Sequence, residues 1–248
     1  MIRNTSARYR FLKGIAPYSC GVIAEPGWEI VRVTLAKWLP WNDGFEFVDR
    51  YLKQVELTRL ALCAMELRSP TPFTMQGFID FNRDYCEVLE TWGILLESLN
   101  PIARTNVAPI CPLPATPSLH AFSFVRPNPL LKRKTFVVAG AGELREGVLR
   151  SEGIIRRGEV MAEAIRDKAS FVLDVMDQRL AGMDLNWSDA TAVTIYTIHP
   201  LEAGLRAMLL DRIGLAARHG ICWHVSQPPV QEIEFEMDVR GIATEIAL

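Results

Sequence analysis

Residues 218–239 read Arg-His-Gly-Ile-Cys-Trp-His-Val-Ser-Gln-Pro-Pro-Val-Gln-Glu-Ile-Glu-Phe-Glu-Met-Asp-Val. The second half of this stretch alternates. Ile233, Phe235, Met237 and Val239 fall on one side of a strand, and Glu232, Glu234, Glu236 and Asp238 on the other. Pro228-Pro229 interrupts the strand ladder and marks a turn from the strand before it. The expected unit is a pair of strands, with Arg218 entering the first and a row of carboxylates on the second. A related layout occurs earlier. Ala103-Arg104-Thr105 leads an apolar stretch to Cys111, then Pro112, Pro114 and Pro117 punctuate, and Leu119 to Val125 reads as a strand.

Working outward, each half repeats one order of elements. Residues 14–35 contain two β-branched runs around Pro26-Gly27 and read as a hairpin. Residues 37–44 read as a loop. Phe45 to Arg68 carries Leu57, Leu60, Ala61, Ala64 and Met65 at helical steps, closed by Ser69-Pro70-Thr71-Pro72. Gly77 to Trp92 reads as a second helix. Residues 126–134, with two prolines and four basic residues, form the expected linker. Thr135 to Ala139 is a strand into Gly140-Ala141-Gly142. Gly158 to Leu180 is a long helix with Gly182 as its C-cap, Thr191 to Ile198 a strand, and Pro200 to Gly214 a shorter helix. The period of about 120 residues suits tandem domains rather than a solenoid. The expected fold class is therefore α+β, with two tandem domains at 14–126 and 131–248. Each is a mainly antiparallel sheet with two helices packed on one face.

Composition narrows the function. The 248 residues are 49% hydrophobic and 23% charged, with a net charge of −2. No basic field points to nucleic acid. No apolar run reaches the roughly 20 residues of a membrane helix. Five dispersed cysteines read as reduced thiols of a cytoplasmic protein. Cys222 and His224 share a strand side but lack further ligands, so no metal site is expected. The glycines at 140 and 142 lack the third glycine of a nucleotide fingerprint.

Both halves resemble the reactive intermediate deaminase (Rid, YjgF-like) family, whose fold is chorismate-mutase-like. Ala16-Pro17-Tyr18-Ser19 is similar to its N-terminal signature, and Gly77 to Tyr85 to its Asp-Phe…Asn…Tyr helix. Ile102-Ala103-Arg104-Thr105 is similar to the segment whose arginine grips a substrate carboxylate. In the second half, Val138 to Ala141, Gly182 to Asp189 and Ile233 to Glu236 match a turn, a post-helix turn and a terminal glutamate strand. Neither half is complete: the first has Leu119-His120 where the glutamate would stand, and Arg218 is followed by His219-Gly220. The resemblance reaches chorismatase-type hydrolases as well.

The resemblance implies hydrolysis of an imine or enamine acid, 2-aminomuconate-type or amino-acid-derived, with release of ammonia and no cofactor. It also implies a homotrimer. Glu234 and Arg218 are the expected catalytic residues. Arg104, Tyr18 and Gly140 (through its backbone amide) are the expected substrate-binding ones. A guanidinium can hold a planar carboxylate by two parallel hydrogen bonds, and a carboxylate can orient a water and take its proton. Read without the resemblance, Arg104 is a surface arginine capping carbonyls, Tyr18 a half-buried structural tyrosine, and the acid row a solvated face. Two further functions stay open: a non-catalytic binder of small carboxylates, and a chorismatase-type hydrolase.

Overall fold

The computed structural model describes residues 1–145 and 150–248. In chain order the strands are β1 (Ile2–Asn4), β2 (Tyr9–Leu12), β3 (Gly21–Ala24) and β4 (Trp28–Pro40). Helix α1 (Trp41–Gln54), β5 (Leu62–Arg68), helix α2 (Met75–Thr91), β6 (Ala103–Pro109) and β7 (Ser118–Pro127) follow. The second half holds β8 (Phe136–Gly142), α3 (Ala162–Gly182), β9 (Ala192–Tyr196), α4 (Ala203–Ile213) and β10 (Cys222–His224). It ends with β11 (Ser226–Gln227), β12 (Glu236–Gly241) and β13 (Thr244–Ala247).

Two mixed, mainly antiparallel sheets result, ordered β11-β6-β5-β7-β4-β13 and β1-β2-β3-β8-β12-β9-β10. The repeat is visible in their centres. β4-α1-β5-α2-β6-β7 gives the spatial order β6-β5-β7-β4, and β8-α3-β9-α4-β10-β12 gives β10-β9-β12-β8. The strand order is the same in both units. One apolar cluster packs α1 and α2 on the first sheet, with Phe45, Val48, Phe81, Tyr85 and Phe122. Another packs α3 and α4 on the second, with Val172, Met176, Leu209, Phe235 and Met237. A third lies between the sheets and draws on both, from Tyr9, Val22 and Val137 to Ile30, Cys63 and Ala103. The layers therefore run helices, sheet, sheet, helices.

The units are interleaved at their edges. β1, β2 and β3 extend the second sheet, since β3 pairs with β8. β13 pairs in parallel with β4 and closes the first sheet. The hairpin expected at residues 14–35 is absent for this reason: β3 and β4 flank Pro26-Gly27 but enter different sheets. The closing hairpin is absent too. β10 and β12 lie on opposite sides of β9, and the short β11 crosses to pair with β6.

The helix expected over 45–68 ends at Gln54, and 62–68 is instead strand β5, buried at every position. A strand covered on both faces reads as a near-continuous apolar run, and such a run satisfies helical spacing as well. α2 and α3 lie within the expected ranges to a few residues. Thr74 caps α2, its side chain accepting from the Gly77 amide at 3.0 Å.

Between the sheets the second face of β12 is buried, not solvated. Asp238 is 1% exposed and Arg240 8%. Asp238 accepts from Thr105 Oγ1 at 3.1 Å and Tyr196 Oη at 2.8 Å. Arg240 bridges Asp238 at 3.1 Å to Glu66 at 3.5 Å, and Glu66 is gripped by Arg32 at 2.6 and 2.8 Å. Of the carboxylate row, Asp238 thus helps to dock one sheet onto the other.

Candidate active site

A cavity of about 240 Å³ opens where the two units meet. The first sheet contributes Arg104 and Asn106 of β6, and α2 contributes Phe78. The second sheet contributes Gly140 to Gly142 of β8 and Glu236 of β12, with Arg179 reaching in from α3. Tyr18, Cys20, Pro229, Val230 and Ile233 add to the walls.

Arg104 is 3% exposed. Period two puts it and Asn106 on one face of β6. Its guanidinium sits among four aromatic rings: Tyr85 at 4.7 Å, Tyr18 at 5.2 Å, Phe78 at 5.7 Å and Phe81 at 6.0 Å. Nη2 donates to Asn82 Oδ1 at 2.5 Å, whereas Nη1 is buried without a hydrogen-bond partner. Burial lowers the pKa of this arginine from its ordinary value. Asn106 is similar. Its Oδ1 accepts from Ser69 at 3.0 Å, and its buried Nδ2 has no partner. Two buried donors of residues that line one wall of the cavity are therefore left unpartnered, each at the desolvation cost of an unmade bond, about 1–3 kcal/mol. An anionic ligand with two acceptor oxygens would relieve both.

Glu236, 4% exposed, stands on the other sheet. Burial pushes its carboxyl well above the usual carboxylate range, and Asp238 and Glu143 add to the rise; Arg179 and Arg68 oppose it. The shift favours its neutral form, in which it can donate a proton. Its position is fixed from behind. Glu143 accepts from the amides of Glu234 at 2.7 Å and Phe235 at 3.0 Å and from Lys168 at 3.0 Å. Lys168 and Glu143 are wholly buried. That clamp holds the chain as it enters β12. Arg179 Nη1 donates to the Ala139 carbonyl at 2.9 Å and the Gly140 carbonyl at 3.4 Å. The rim of this wall is thereby held against α3.

The expected residues divide. Arg104, Tyr18 and Gly140 line the cavity. Gly140 does so for a different reason than expected. It lies within β8, and its amide already donates to Thr105 Oγ1 at 3.1 Å. A Cβ built there collides with Glu236 Oε1, so glycine is what lets that carboxyl approach.

Of the two acids, Glu236 lines the cavity and Glu234 does not. The Glu234 carboxylate turns out to His199 Nε2 at 2.7 Å, and Glu234 precedes β12, after a turn in which Glu232 has φ 70°. Arg218 is exposed, donates to His219 and to the Ser188 carbonyl, and is not part of the cavity wall. It falls in a helical turn after α4, not on a strand. The sequence reading also missed Asn82, Lys168 and Arg179. Each is a polar residue on an otherwise apolar helix face, which is the signal that could have found them.

The family model for "2-aminomuconate deaminase CnbZ" matches residues 1–246. A "2-amino-5-chloromuconate deaminase" of Comamonas testosteroni is 40% identical over 242 residues, 97% of this chain and 96% of that protein. A crystal structure of a chorismatase shares the fold, with TM-score 0.51 and 11% identity over 90% of this chain and 77% of that one. A Rid-family protein of unknown function, YyfB of Yersinia pestis, aligns over 48% of this chain and 84% of its own, with TM-score 0.32 and 16% identity. With a match along nearly its whole length, the chain belongs to the 2-aminomuconate deaminase CnbZ family.

Proposed function

We propose that this protein hydrolytically deaminates a 2-aminomuconate-type enamine acid, with Arg104 and Asn106 holding the carboxylate beside the amino-bearing carbon and Glu236 moving the protons. The observation that carries the reading is the pair of buried, unpartnered donors on two β6 residues that line a cavity whose other wall offers a carboxyl with a raised pKa. Membership of a deaminase family supports the same chemistry.

The steps balance on one acid. Protonated Glu236 gives its proton to the carbon next to the amino-bearing carbon, and the enamine becomes an iminium. Water attacks the iminium carbon while the Glu236 carboxylate takes a water proton, leaving a carbinolamine. Glu236 then protonates the nitrogen. The carbon–nitrogen bond breaks as the hydroxyl oxygen forms the carbonyl, ammonia leaves, and the hydroxyl proton returns to Glu236. One water is consumed, and one ammonia and one keto acid are formed. General acid–base catalysis of this kind contributes roughly 10²–10⁴-fold. Holding the carboxylate in place supplies further rate by orientation. A trimeric assembly, implied by the resemblance, belongs to this proposal as well.

The test is ammonia release from 2-aminomuconate generated in situ, with the wild type and Arg104→Ala. Turnover by the wild type and its loss in the variant are expected. Unchanged turnover in the variant removes the carboxylate grip; binding without ammonia release leaves a carboxylate receptor and removes the enzyme.

A further inference from the structure

The cavity carries more positive charge than one carboxylate needs. Lys13, Arg104, Arg145 and Arg179 line it, against Glu236 as its one acidic side chain among the described residues. Arg104 belongs to the buried end, and Arg179 is committed to the carbonyls of Ala139 and Gly140. The other two cations are exposed, which puts them on the solvent side of the same cavity. They come from separate elements. Lys13 follows β2, where the Cys20 amide bonds the Leu12 carbonyl at 3.1 Å. Arg145 follows β8, and its amide bonds the Gly153 carbonyl at 3.0 Å. Among the described residues neither side chain forms an ion pair.

We propose that Lys13 and Arg145 form a second carboxylate subsite at the mouth of this cavity, so that the site selects dicarboxylates over monocarboxylates of the same length. This rests on the proposed function, in which the first carboxylate lies on Arg104 and Asn106. The apolar lining of the same cavity, Phe78, Val230 and Ile233, suits an unsaturated carbon chain. With both ends charged and the middle apolar, the cavity matches a short, linear diacid. An exposed cation contributes less than a buried one because solvent and salt screen it. The mouth is therefore a selectivity device, and the main grip stays at Arg104.

Stable analogues test this without turnover. Muconate is a six-carbon diene with a carboxylate at each end, and sorbate is the six-carbon diene with a carboxylate at one end and a methyl group at the other. Binding of each is measured by calorimetry to the wild type, to the double variant Lys13→Met/Arg145→Met, and to Arg104→Ala. The double variant is expected to lose about tenfold in muconate affinity, the sum of two partly exposed ion pairs, with less than twofold change for sorbate. Muconate binding to the wild type is expected to weaken more steeply with added salt than sorbate binding. Equal loss for both ligands, or no loss for muconate, overturns the subsite while Arg104 still stands. If Arg104→Ala binds sorbate as well as the wild type does, the reading of the buried end falls instead. Both mouth positions are exposed, and an unchanged melting temperature shows that the double variant is folded.

Discussion

Arg104 and Glu236 face one cavity from two different sheets, the arginine on β6 of the first and the glutamate on β12 of the second. Neither unit holds both groups. The same interface that buries the sheets against each other therefore builds the site. It also desolvates both ionisable groups, lowering the pKa of Arg104 and raising that of Glu236.

Arg104→Met should separate activity from stability. The buried guanidinium has one open nitrogen and a pKa lowered by burial, so the folded protein loses little when it goes. Methionine fills the aromatic cage with a flexible apolar chain. The expected outcome is a fall of about hundredfold or more in kcat/KM, matching the 2–5 kcal/mol cost of truncating one partner of a buried charge pair. The melting temperature should stay the same or rise. A drop in both together would make Arg104 structural.

Glu236→Gln addresses the proton. In the proposed mechanism the acid form starts the reaction, so wild-type activity should fall as pH rises through the raised pKa of Glu236. The glutamine variant should lose roughly 10²–10⁴-fold at neutral pH. The sign for stability follows from the same shift. A carboxyl whose folded pKa is raised contributes stability that is fully present below its unfolded value near 4.5 and is lost as pH rises through the folded value. The variant should therefore unfold at a higher temperature than the wild type in alkaline buffer, with the gap closing toward acid pH. A wild-type rate that rises steadily into the alkaline range would count against the assignment.

Much of this was legible in the sequence, and the rest fails for identifiable reasons. α2 and α3 show their 3.6-residue stripes, and Arg104 stands at the entry of an apolar strand, so both survive in the structure. β5 does not announce itself, because a strand buried on both sides has no alternation to show. Glu236 and Glu234 share one parity, and parity alone does not say which of two acids meets a cavity. The turn at Glu232 and the Glu143 clamp decide it, and both are tertiary. Exchange of β3 and β13 between the sheets leaves no local trace either, since strand pairing partners are set by topology. Arg218 was read as a counterpart of Arg104, but its segment closes α4 as a helical turn.

Gly140→Ala tests the close approach of the two walls. The added methyl group meets Glu236 Oε1 and sits within 3.0 Å of Thr105 Cγ2, so the glutamate carboxyl must swing away. The rest of β8 keeps its pairing with β3 and β12. The expected result is a loss in kcat of at least about tenfold, with ligand binding at Arg104 less affected, since a misplacement of about 1 Å costs up to roughly hundredfold. Calorimetry with sorbate separates the two effects. Equal loss of binding and turnover would point to collapse of the cavity rather than displacement of one acid.

The last prediction concerns the polar seam between the sheets. Burial alone would raise the pKa of Glu66, but Arg32 and Arg240 overcome it and hold the carboxyl well below its ordinary 4.5. A carboxylate depressed in the folded state adds stability that is present above its unfolded pKa and lost as pH falls through the folded one. The stabilisation from this seam should thus begin to fade below about pH 4.5 and continue to fade as the pH drops further. Glu66→Gln keeps the shape but leaves Arg32 and Arg240 facing each other with less counter-charge. Breaking one partner of a buried pair typically costs about 3–5 kcal/mol. The unfolding free energy of the variant, measured by urea titration, should drop by that amount at pH 7, and much of its difference from the wild type should vanish in strong acid. Arg32 comes from β4 of the first sheet and Arg240 from β12 of the second, so the loss should also loosen the contact that frames the cavity. Weaker sorbate binding at pH 7, in variant protein still folded by circular dichroism, would report that loosening; a variant as stable as the wild type at pH 7 would show that the seam holds nothing together.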